Sequence, residues 1–158
     1  MHPRATEFAE RARAELGFDP GVREFPDGTS TAADAAEAIG CSVGQIASAI
    51  AMAAGGDLVV VLTSGANRVS EPRLAELWGV PAGEVRTADA DEITERLGWS
   101  IGGVPPFCHD EQVPVYMDET LTAFDEVWAA AGTPEAVFPI APDRLRELAG
   151  AEPVAIAE

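Results

Sequence analysis

One short segment, Leu58–Ser64, limits the fold more than any other part of the sequence. It reads LVVVLTS, an unbroken run of aliphatic and β-branched residues that ends in two hydroxyl residues. A run of this length and composition is typical of a strand buried on both faces. The rest of the chain must therefore cover both sides of a sheet that contains this strand.

Helix and strand patterns surround this run. Helices are predicted where an N-cap residue precedes an amphipathic or alanine-rich stretch and a glycine follows it, as Ser70, Pro72 and Gly79 do for one of them. The predicted helices cover residues 3–16, 31–40, 70–79, 89–98 and 141–150. The predicted strands cover 22–25, the second half of 41–52, 58–64, 84–89, 113–118, 124–132, 136–140 and 152–158. A turn over 26–31 ends in Ser30 or Thr31 as an N-cap, and 99–110 is a loop.

Short strands interleaved with helices predict an α+β fold with a mixed sheet. The 158 residues contain no internal repeat, no low-complexity stretch and no linker. A chain of this size fits one domain, and one near this length buries roughly 68–70% of the surface that its unfolded form exposes. We therefore expect a single domain over 1–158, in which residues 1–20 form an N-terminal helix.

The charge composition points to an unusual environment. The chain has no lysine: all ten basic side chains are arginines, set against 27 Asp and Glu, for a formal net charge of -17. At molar salt the Debye length falls to about 3 Å, so the self-repulsion of such a chain is mostly screened. The composition favours adaptation to a salt-saturated cytoplasm over an ordinary acidic protein, and it predicts weak binding to bulk nucleic acid.

Several classes of protein are disfavoured by the sequence. No apolar run approaches the roughly 18 residues of a membrane span, and the N-terminus lacks the apolar region of a signal peptide. Cys41 and Cys108 are far apart and belong to no Cys or His cluster, which argues against a disulfide or a metal site. No glycine-rich phosphate-binding turn is present. We expect no metal, no cofactor, no DNA and no membrane partner.

The most constrained stretch of backbone is 101–109, IGGVPPFCH. Its paired glycines allow a close approach of main chain to a ligand, so the N–H groups of Gly102, Gly103 and Val104 can face a carbonyl or an oxyanion. The alternative is a rigid turn between a helix and a strand, which loop composition alone favours. Adjacent side chains diverge, so Cys108 and His109 do not form a catalytic dyad, and His109 is expected to make a polar contact in the loop.

Three more side chains are candidates for a site. Asp118 and Asp125 can serve as general bases, although a turn residue at a strand end and a solvated carboxylate are the simpler interpretations. Arg68 follows the buried strand, at a sheet end where ligands often bind in α/β proteins. Its guanidinium suits phosphate or carboxylate, and a salt bridge on an acidic surface is an equally good interpretation.

Taken together, these segments resemble the YbaK/prolyl-tRNA-editing-associated domain family, whose members hydrolyse mischarged tRNAs in trans. The resemblance runs in order from about Thr31 to Leu148. It is carried by TAADAAEAIGCSVGQIASAI, DLVVVLTSGANRVSEPRLAELWG, VRTADADEITERLGWSIGGVPPF, VYMDETLTAFDEVWAAAGTPEAVF and APDRLREL. It implies a mixed, partly barrel-like β-sheet flanked by helices, with a pocket at one face.

The resemblance also implies which residues form the site. The strand that begins QIA carries a lysine in the family, and Ser48 occupies that position here. The family loop over Gly102–Phe107, which includes Pro105, contacts the scissile ester through its backbone. Substrate contacts are implied for Ile46, Phe107 and Gly132, and for the candidates Arg68, His109 and Asp118. Where many relatives carry a serine, this chain has Ala129, Ala130 and Ala131, and where some carry a histidine it has Glu135.

The resemblance implies an aminoacyl-tRNA deacylase, a cytoplasmic hydrolase of translation quality control. Its partner is the aminoacylated 3′ end of tRNA, with association with an aminoacyl-tRNA synthetase as a further expectation. Loss of the lysine leaves a second interpretation open, a catalytically weak or inactive homologue that binds aminoacyl-tRNA or a small ligand. In the first interpretation, Arg68 supplies the missing positive charge from across the pocket.

Overall fold

The computed structural model describes residues 1–26 and 31–158. Five α-helices form: α1 (Pro3–Leu16), α2 (Ala32–Ile39), α3 (Glu71–Trp78), α4 (Ala90–Leu97) and α5 (Pro142–Ala149). Eight strands form: β1 (Arg23–Glu24), β2 (Ile46–Ala54), β3 (Asp57–Ser64), β4 (Val85–Thr87), β5 (Val115–Asp118), β6 (Val127–Ala130), β7 (Ala136–Ile140) and β8 (Glu152–Val154). Short 3₁₀ helices cover Val43–Gln45, Ala82–Glu84 and Glu119–Ala123.

All eight strands join one mixed sheet. Its order is β1-β7-β6-β2-β3-β5-β8, and β4 pairs with β2 beside this path. The pairs β2–β6, β3–β5 and β5–β8 are parallel, while β1–β7, β6–β7, β2–β3 and β2–β4 are antiparallel. The predicted α+β class and mixed sheet are confirmed, and the sheet stays open, with β1 and β8 at its two ends.

The run that predicts a central strand is indeed at the centre. In β3, Val59, Val60, Val61 and Leu62 are each fully buried. Leu58, Val60 and Leu62 belong to the main core, which α1, α4 and α5 cover, whereas Val59 and Val61 pack on the other face against α3. Alternate residues of one strand thus fill two different cores, as the pleat of a strand requires.

Strand β2 divides its side chains in the same way. Ala47 and Ala51 face the main core. On the opposite face Ile46 packs against α2, whereas Ile50 and Met52 pack with α3. Ser48 lies between these two apolar clusters, at a point where neither helix covers the sheet.

The helix boundaries follow the predicted caps. Thr31, Ser70 and Asp89 each accept a hydrogen bond from a backbone N–H of the first turn, and the helices end at glycines with positive φ. Helix α1 ends at Leu16 and does not fill residues 1–20, because Gly17 adopts φ 63° and closes the helix through bonds to Ala12 and Arg13. The alternative cap Ser30 and most of the predicted turn over 26–31 lie outside the described residues.

Several strand boundaries differ from the sequence prediction, and β4 and β6 are each shorter than the predicted 84–89 and 124–132. Strand β2 starts at Ile46, in agreement with a strand in the second half of 41–52, but it continues to Ala54, because its last residues pair with β3 and β4. Strands β1 and β5 are shorter than predicted, since only the residues that reach a neighbouring strand adopt the ladder. Strand β8 ends at Val154, and the tail beyond it makes a single bridge between Ala157 and Val69. Within the described part of the chain, no helix combines the length and apolarity that a membrane crossing demands.

Candidate functional site

A gap in the sheet creates the candidate site. One edge of β2 pairs with β6 only at Ile46 and Ala47, and with β4 only at residues 52–54. Between these two ladders the edge has no strand partner over residues 48–51, although the N–H of Ala88 reaches the carbonyl of Ala51 at 2.9 Å. A cavity of about 250 Å³ occupies this gap. The loop at Ile101–Val104, the start of α2 and the end of β4 form its other walls.

The lining of this first cavity is almost entirely apolar. Among the described residues only three polar side chains, those of Thr31, Ser48 and Thr87, contribute to it, and no charged side chain does. The small side chains of seven alanines leave this space open. They are at positions 32, 35, 47, 49, 51, 129 and 130. The cavity therefore suits an uncharged group and offers no side-chain general base from the described residues.

Two residues of the glycine loop, Gly102 and Val104, line the cavity. Gly102 has φ 86°, and the N–H of Gly103 bonds to the carbonyl of Ser100 at 3.0 Å, which is typical of a type II turn. The amide of Gly103 is thus already used inside the turn. No acceptor from the described residues meets the amide N–H of Gly102 or of Val104, and both residues line the cavity. Of the three donors expected from sequence, the amides of Gly102 and Val104 stay candidates.

Close packing explains why the loop needs two glycines. A Cβ on Gly103 would lie 2.7 Å from the Cα of Thr133 and 2.8 Å from its N atom. Gly102 has room for a Cβ, 3.4 Å from Pro134, but its positive φ disfavours other residues. One glycine therefore permits contact between two backbone segments, and the other permits the turn.

A second cavity, of about 350 Å³, opens beside the first. Ser48, Ile50, Thr87 and Ala32 line both, so Ser48 stands at their junction. The hydroxyl of Ser48 makes no hydrogen bond to a described residue. The two cavities thus form one continuous cleft with an apolar half and a more polar half.

Arg68 lines the second cavity with an exposed side chain. Six arginines of this chain pair with carboxylates, but the guanidinium of Arg68 contacts no carboxylate of the described residues. Glu71 and Glu158 line the same cavity. As far as the described residues go, this half of the cleft therefore holds one cation without an ion pair, near two carboxylates.

Asp118 supports the turn that carries Arg68. It is 1% exposed, and its carboxylate accepts hydrogen bonds from the Asn67 side chain at 2.9 Å and from the N–H groups of Ser64 and Thr120. It lines neither cavity, and its position is that of a turn residue at a strand end. Asp125 is exposed to solvent.

The structure does not bring the end of the glycine loop to the cleft. Phe107 packs among Phe8, Phe18 and Phe138 in the main core. His109 lies on the other side of the loop, beside a separate cavity, where its Nε2 is 2.7 Å from the carbonyl of Pro105. Gly132 is pressed between the first turn of α1 and the ring of Trp99. Pro105, Phe107, His109 and Gly132 thus shape the loop and lie outside the lining of the cleft.

Titration behaviour agrees with a structural role for the Cys108–His109 pair. Burial raises the pKa of Cys108 to about 11, so its thiol stays protonated near neutral pH. Burial also lowers the pKa of His109, and the neutral ring donates from Nε2 to the Pro105 carbonyl. The expected absence of a dyad and the expected polar contact of His109 both agree with this geometry.

Two residues of the cleft have no signal in the sequence. Thr87 ends a three-residue strand, and Trp128 lies in a strand whose partner is 82 positions earlier, at Ile46. Their place in the lining depends on which strands share an edge of β2. Ile101 differs, because its place beside a glycine pair in a predicted loop is visible in the sequence, and the structure leaves it 56% exposed.

Comparison with known proteins identifies relatives over most of the chain. A model of the aminoacyl-tRNA editing domain matches residues 26–148. "Uncharacterized protein YwhH" of Bacillus subtilis (strain 168) is 32% identical over 129 residues, which are 80% of this chain and 79% of that protein.

Solved structures agree with this match. One described as the "crystal structure of a putative trans-editing enzyme for prolyl tRNA synthetase" is 36% identical, with a TM-score of 0.93 over 100% of this chain and 99% of that one. Another, described as hypothetical protein APE2540, is 27% identical, with a TM-score of 0.85 over 96% and 99%. The cleft therefore lies in a fold that these relatives share along their whole length.

Proposed function

The chain belongs to the aminoacyl-tRNA editing domain family, and from this premise we propose that it hydrolyses the ester of mischarged tRNA in trans. The observation that carries the proposal is the pair of amides at Gly102 and Val104, which have no acceptor from the described residues and line an apolar cavity. Two preorganised N–H donors are what the developing oxyanion of an ester needs.

The two halves of the cleft suit the two parts of the substrate. The apolar cavity takes the aminoacyl side chain, since it lacks charged groups and has an alanine-rich wall. The polar cavity takes the terminal adenosine, with Arg68 facing a phosphate. Ser48, at the junction, lies where the ester joins the ribose, and its hydroxyl can donate one hydrogen bond. A solvent water then attacks the ester carbonyl, and much of the rate comes from positioning and from the backbone donors.

The charge of the cleft explains why salt matters to this proposal. Glu71 and Glu158 lie in the same cavity as Arg68, so at low ionic strength they oppose the approach of a phosphate. Molar salt screens that repulsion beyond about 3 Å and leaves direct contacts in place. We expect recognition to depend on the cleft and the terminal adenosine, within a salt-rich cytoplasm, with a synthetase as a further partner.

The decisive experiment is a turnover assay on a panel of mischarged tRNAs in molar KCl. Loss of the ester above a heat-killed control supports the deacylase. Ala130→Leu, which adds a side chain to the wall of the apolar cavity, should reduce turnover of the larger aminoacyl groups most. Ala123→Leu is the matched control, because Ala123 is exposed and lines neither cavity. Equal activity of the two variants would contradict the placement of the aminoacyl group.

Arg68 is tested by its effect on substrate binding. A charge-assisted hydrogen bond contributes about 1.5–3 kcal/mol, and exposure reduces this, so Arg68→Ala should lower kcat/KM roughly tenfold, mainly through KM. Arg146→Ala is the control, since that exposed guanidinium also pairs with no described carboxylate but lies on α5. If both variants behave alike, Arg68 does not contact the substrate.

One observation favours a second candidate, a binding module with little or no turnover. The apolar half of the cleft, which Ser48 borders, offers no charged side chain and no side-chain general base from the described residues. Tight binding of aminoacyl-tRNA without ester loss, followed by a gain of turnover in Ser48→Lys, would support this candidate over the enzyme.

A further inference from the structure

Helix α1 packs against the glycine loop, although it precedes the matched family region in the sequence. The family model begins at residue 26, whereas α1 spans Pro3–Leu16. Ala5, Phe8, Ala9 and Ala12 of this helix are buried, and Phe8 packs against the rings of Trp99, Phe107 and Phe138. The helix is therefore part of the core on which the loop rests.

Arg4 joins α1 to the start of the loop. Its Nη2 donates to the carbonyl of Gly98, and its guanidinium stacks over the ring of Trp99, 4.3 Å from the ring centroid. Its Nη1 also pairs with Glu7 at 2.9 Å, which fixes the side chain on the helix. A hydrogen bond from a charged donor and a cation–π contact on a buried ring both stabilise more than an exposed ion pair does.

Trp99 connects the two ends of the loop. Its indole Nε1 donates to the carbonyl of Cys108 at 2.9 Å, so the ring links the beginning of the loop to its end. Arg11 adds a second link from α1, an ion pair of 2.9 Å with Asp110, although Asp110 is well exposed. The segment that presents Gly102 and Val104 is thus held at both ends from one helix.

Helix α1 also supports the surface on which the loop turns. A Cβ on Gly132 would lie 2.7 Å from the carbonyl oxygen of Arg4 and 2.8 Å from the Trp99 ring. The next residue, Thr133, contacts Gly103 on the opposite side. The corner at Gly132–Thr133 is therefore packed between the first turn of α1 and the glycine loop.

We infer that Arg4 is a positioning residue, which through Gly98 and Trp99 holds the amides of Gly102 and Val104 in the geometry that the ester requires. The catalytic importance of Arg4 rests on the proposed function, whereas its effect on the conformation of the loop does not. Among the described residues, the Arg4 side chain bonds to or stacks on Glu7, Gly98 and Trp99, and none of these lines the cleft. The inference extends the functional unit to a helix that lies outside the matched editing-domain region.

The test compares Arg4→Ala with Arg13→Ala in the full chain. Arg13 is on the same helix, but its only ion-pair partner among the described residues is the exposed Asp19. Hydrogen exchange by NMR is measured for the Gly103 amide and for the Trp99 indole N–H, which are bonded inside the loop. The Trp78 indole, bonded to Asp57 on another part of the sheet, is the internal reference.

In Arg4→Ala, the exchange rates at Gly103 and Trp99 should rise about tenfold, while the rate at the Trp78 reference changes less than twofold. Arg13→Ala should alter none of these rates. Arg4→Lys, which keeps the charge but loses the planar stacking group, should be intermediate. An equal rise at Trp78 would mean general destabilisation and would overturn the inference. No rise in Arg4→Ala would overturn it as well.

Turnover supplies the second readout. With an active wild type, kcat should fall about tenfold in Arg4→Ala and KM should stay within twofold, because the donors are displaced and the binding surfaces are not. Selective loosening of the loop with an unchanged kcat would refute the positioning role. If the wild type hydrolyses no aminoacyl-tRNA, the proposed function fails, and the exchange comparison still decides whether Arg4 holds the loop.

Discussion

Replacement of Gly103 by alanine probes the contact that shapes the glycine loop. The new Cβ would lie 2.7, 2.8 and 2.9 Å from the Cα, N and C atoms of Thr133, all of them backbone atoms. Such distances are shorter than van der Waals contact, so one of the two segments has to move. The corner that carries Thr133 is closed by the hydrogen bonds Ala131 N–H to Ala136 O at 2.9 Å and Ala136 N–H to Thr133 O at 3.2 Å. It therefore resists displacement.

The magnitude follows from two opposing effects. Overpacking of a well-packed site destabilises the folded state by about 1–3 kcal/mol. The loss of backbone freedom in the unfolded chain stabilises the folded state by about 0.4–1 kcal/mol. The free energy of unfolding should thus fall by about 1–2 kcal/mol, which lowers the melting temperature by roughly 3–6 °C for a chain of this size. Because the loop is displaced, turnover should also fall. The decrease should be larger than the smaller fraction of folded protein explains.

Urea denaturation in molar KCl, followed by tryptophan fluorescence, measures this loss. Gly83→Ala is the matched control, since its Cβ would have no neighbour within 4 Å and its φ is not positive. Gly102→Ala separates the two causes of destabilisation. Its Cβ would lie 3.4 Å from Pro134, an ordinary contact, so any loss of stability would come from the φ of 86°. A Gly103→Ala protein as stable as Gly83→Ala would refute the backbone contact, and with it the packing that we describe for the loop.

Three further predictions concern titration and salt. Because burial raises the pKa of Cys108 to about 11, iodoacetamide should leave it unmodified in the folded protein at pH 8 and alkylate it after denaturation, as mass spectrometry can show; rapid native labelling would contradict its burial. Because burial lowers the pKa of His109 below its ordinary 6.5, the unfolded chain takes up this proton first, so the free energy of unfolding should decrease as pH falls below 6.5. His109→Gln should remove that part of the slope and His2→Gln should keep it; equal slopes in both would argue against this origin. Finally, a net charge of -17 predicts that the urea midpoint rises between 0.1 and 2 M KCl, whereas an equal or falling midpoint would count against adaptation to salt.

Local signals predicted the elements well because each is encoded by neighbouring residues. Gly40, Gly79, Gly98 and Gly150 all take positive φ just past a helix, as their positions after amphipathic stretches indicate. The run LVVVLTS became the buried central strand. The boundaries that differ, such as those of the short strand β6, depend on which residues pair with a neighbouring strand and have no local cause.

The candidate site was predictable in part. Gly102, Val104, Ile46, Ser48 and Arg68 line one cleft, while Gly103 makes the backbone contact behind it, and contact of these residues with a substrate stays a prediction. Phe107, His109, Gly132 and Asp118 lie elsewhere, because aromatic packing, a loop hydrogen bond, a backbone contact and a turn use those residues. A sequence shows that such residues are constrained, but it does not distinguish a constraint of packing from one of substrate.

The sequence by itself determined the layered α+β architecture, the helix ends, the acidic surface and the family, since these depend on local pattern, composition and ordered motifs. Only the tertiary structure decided where the cleft lies. Two strands far apart in sequence, β4 and β6, pair with the same edge of β2 and leave residues 48–51 open between them. Neither strand carries a signal for its partner, because strand register arises from the packing of the whole sheet. The same holds for Arg4, whose contact with Gly98 joins residues 94 positions apart.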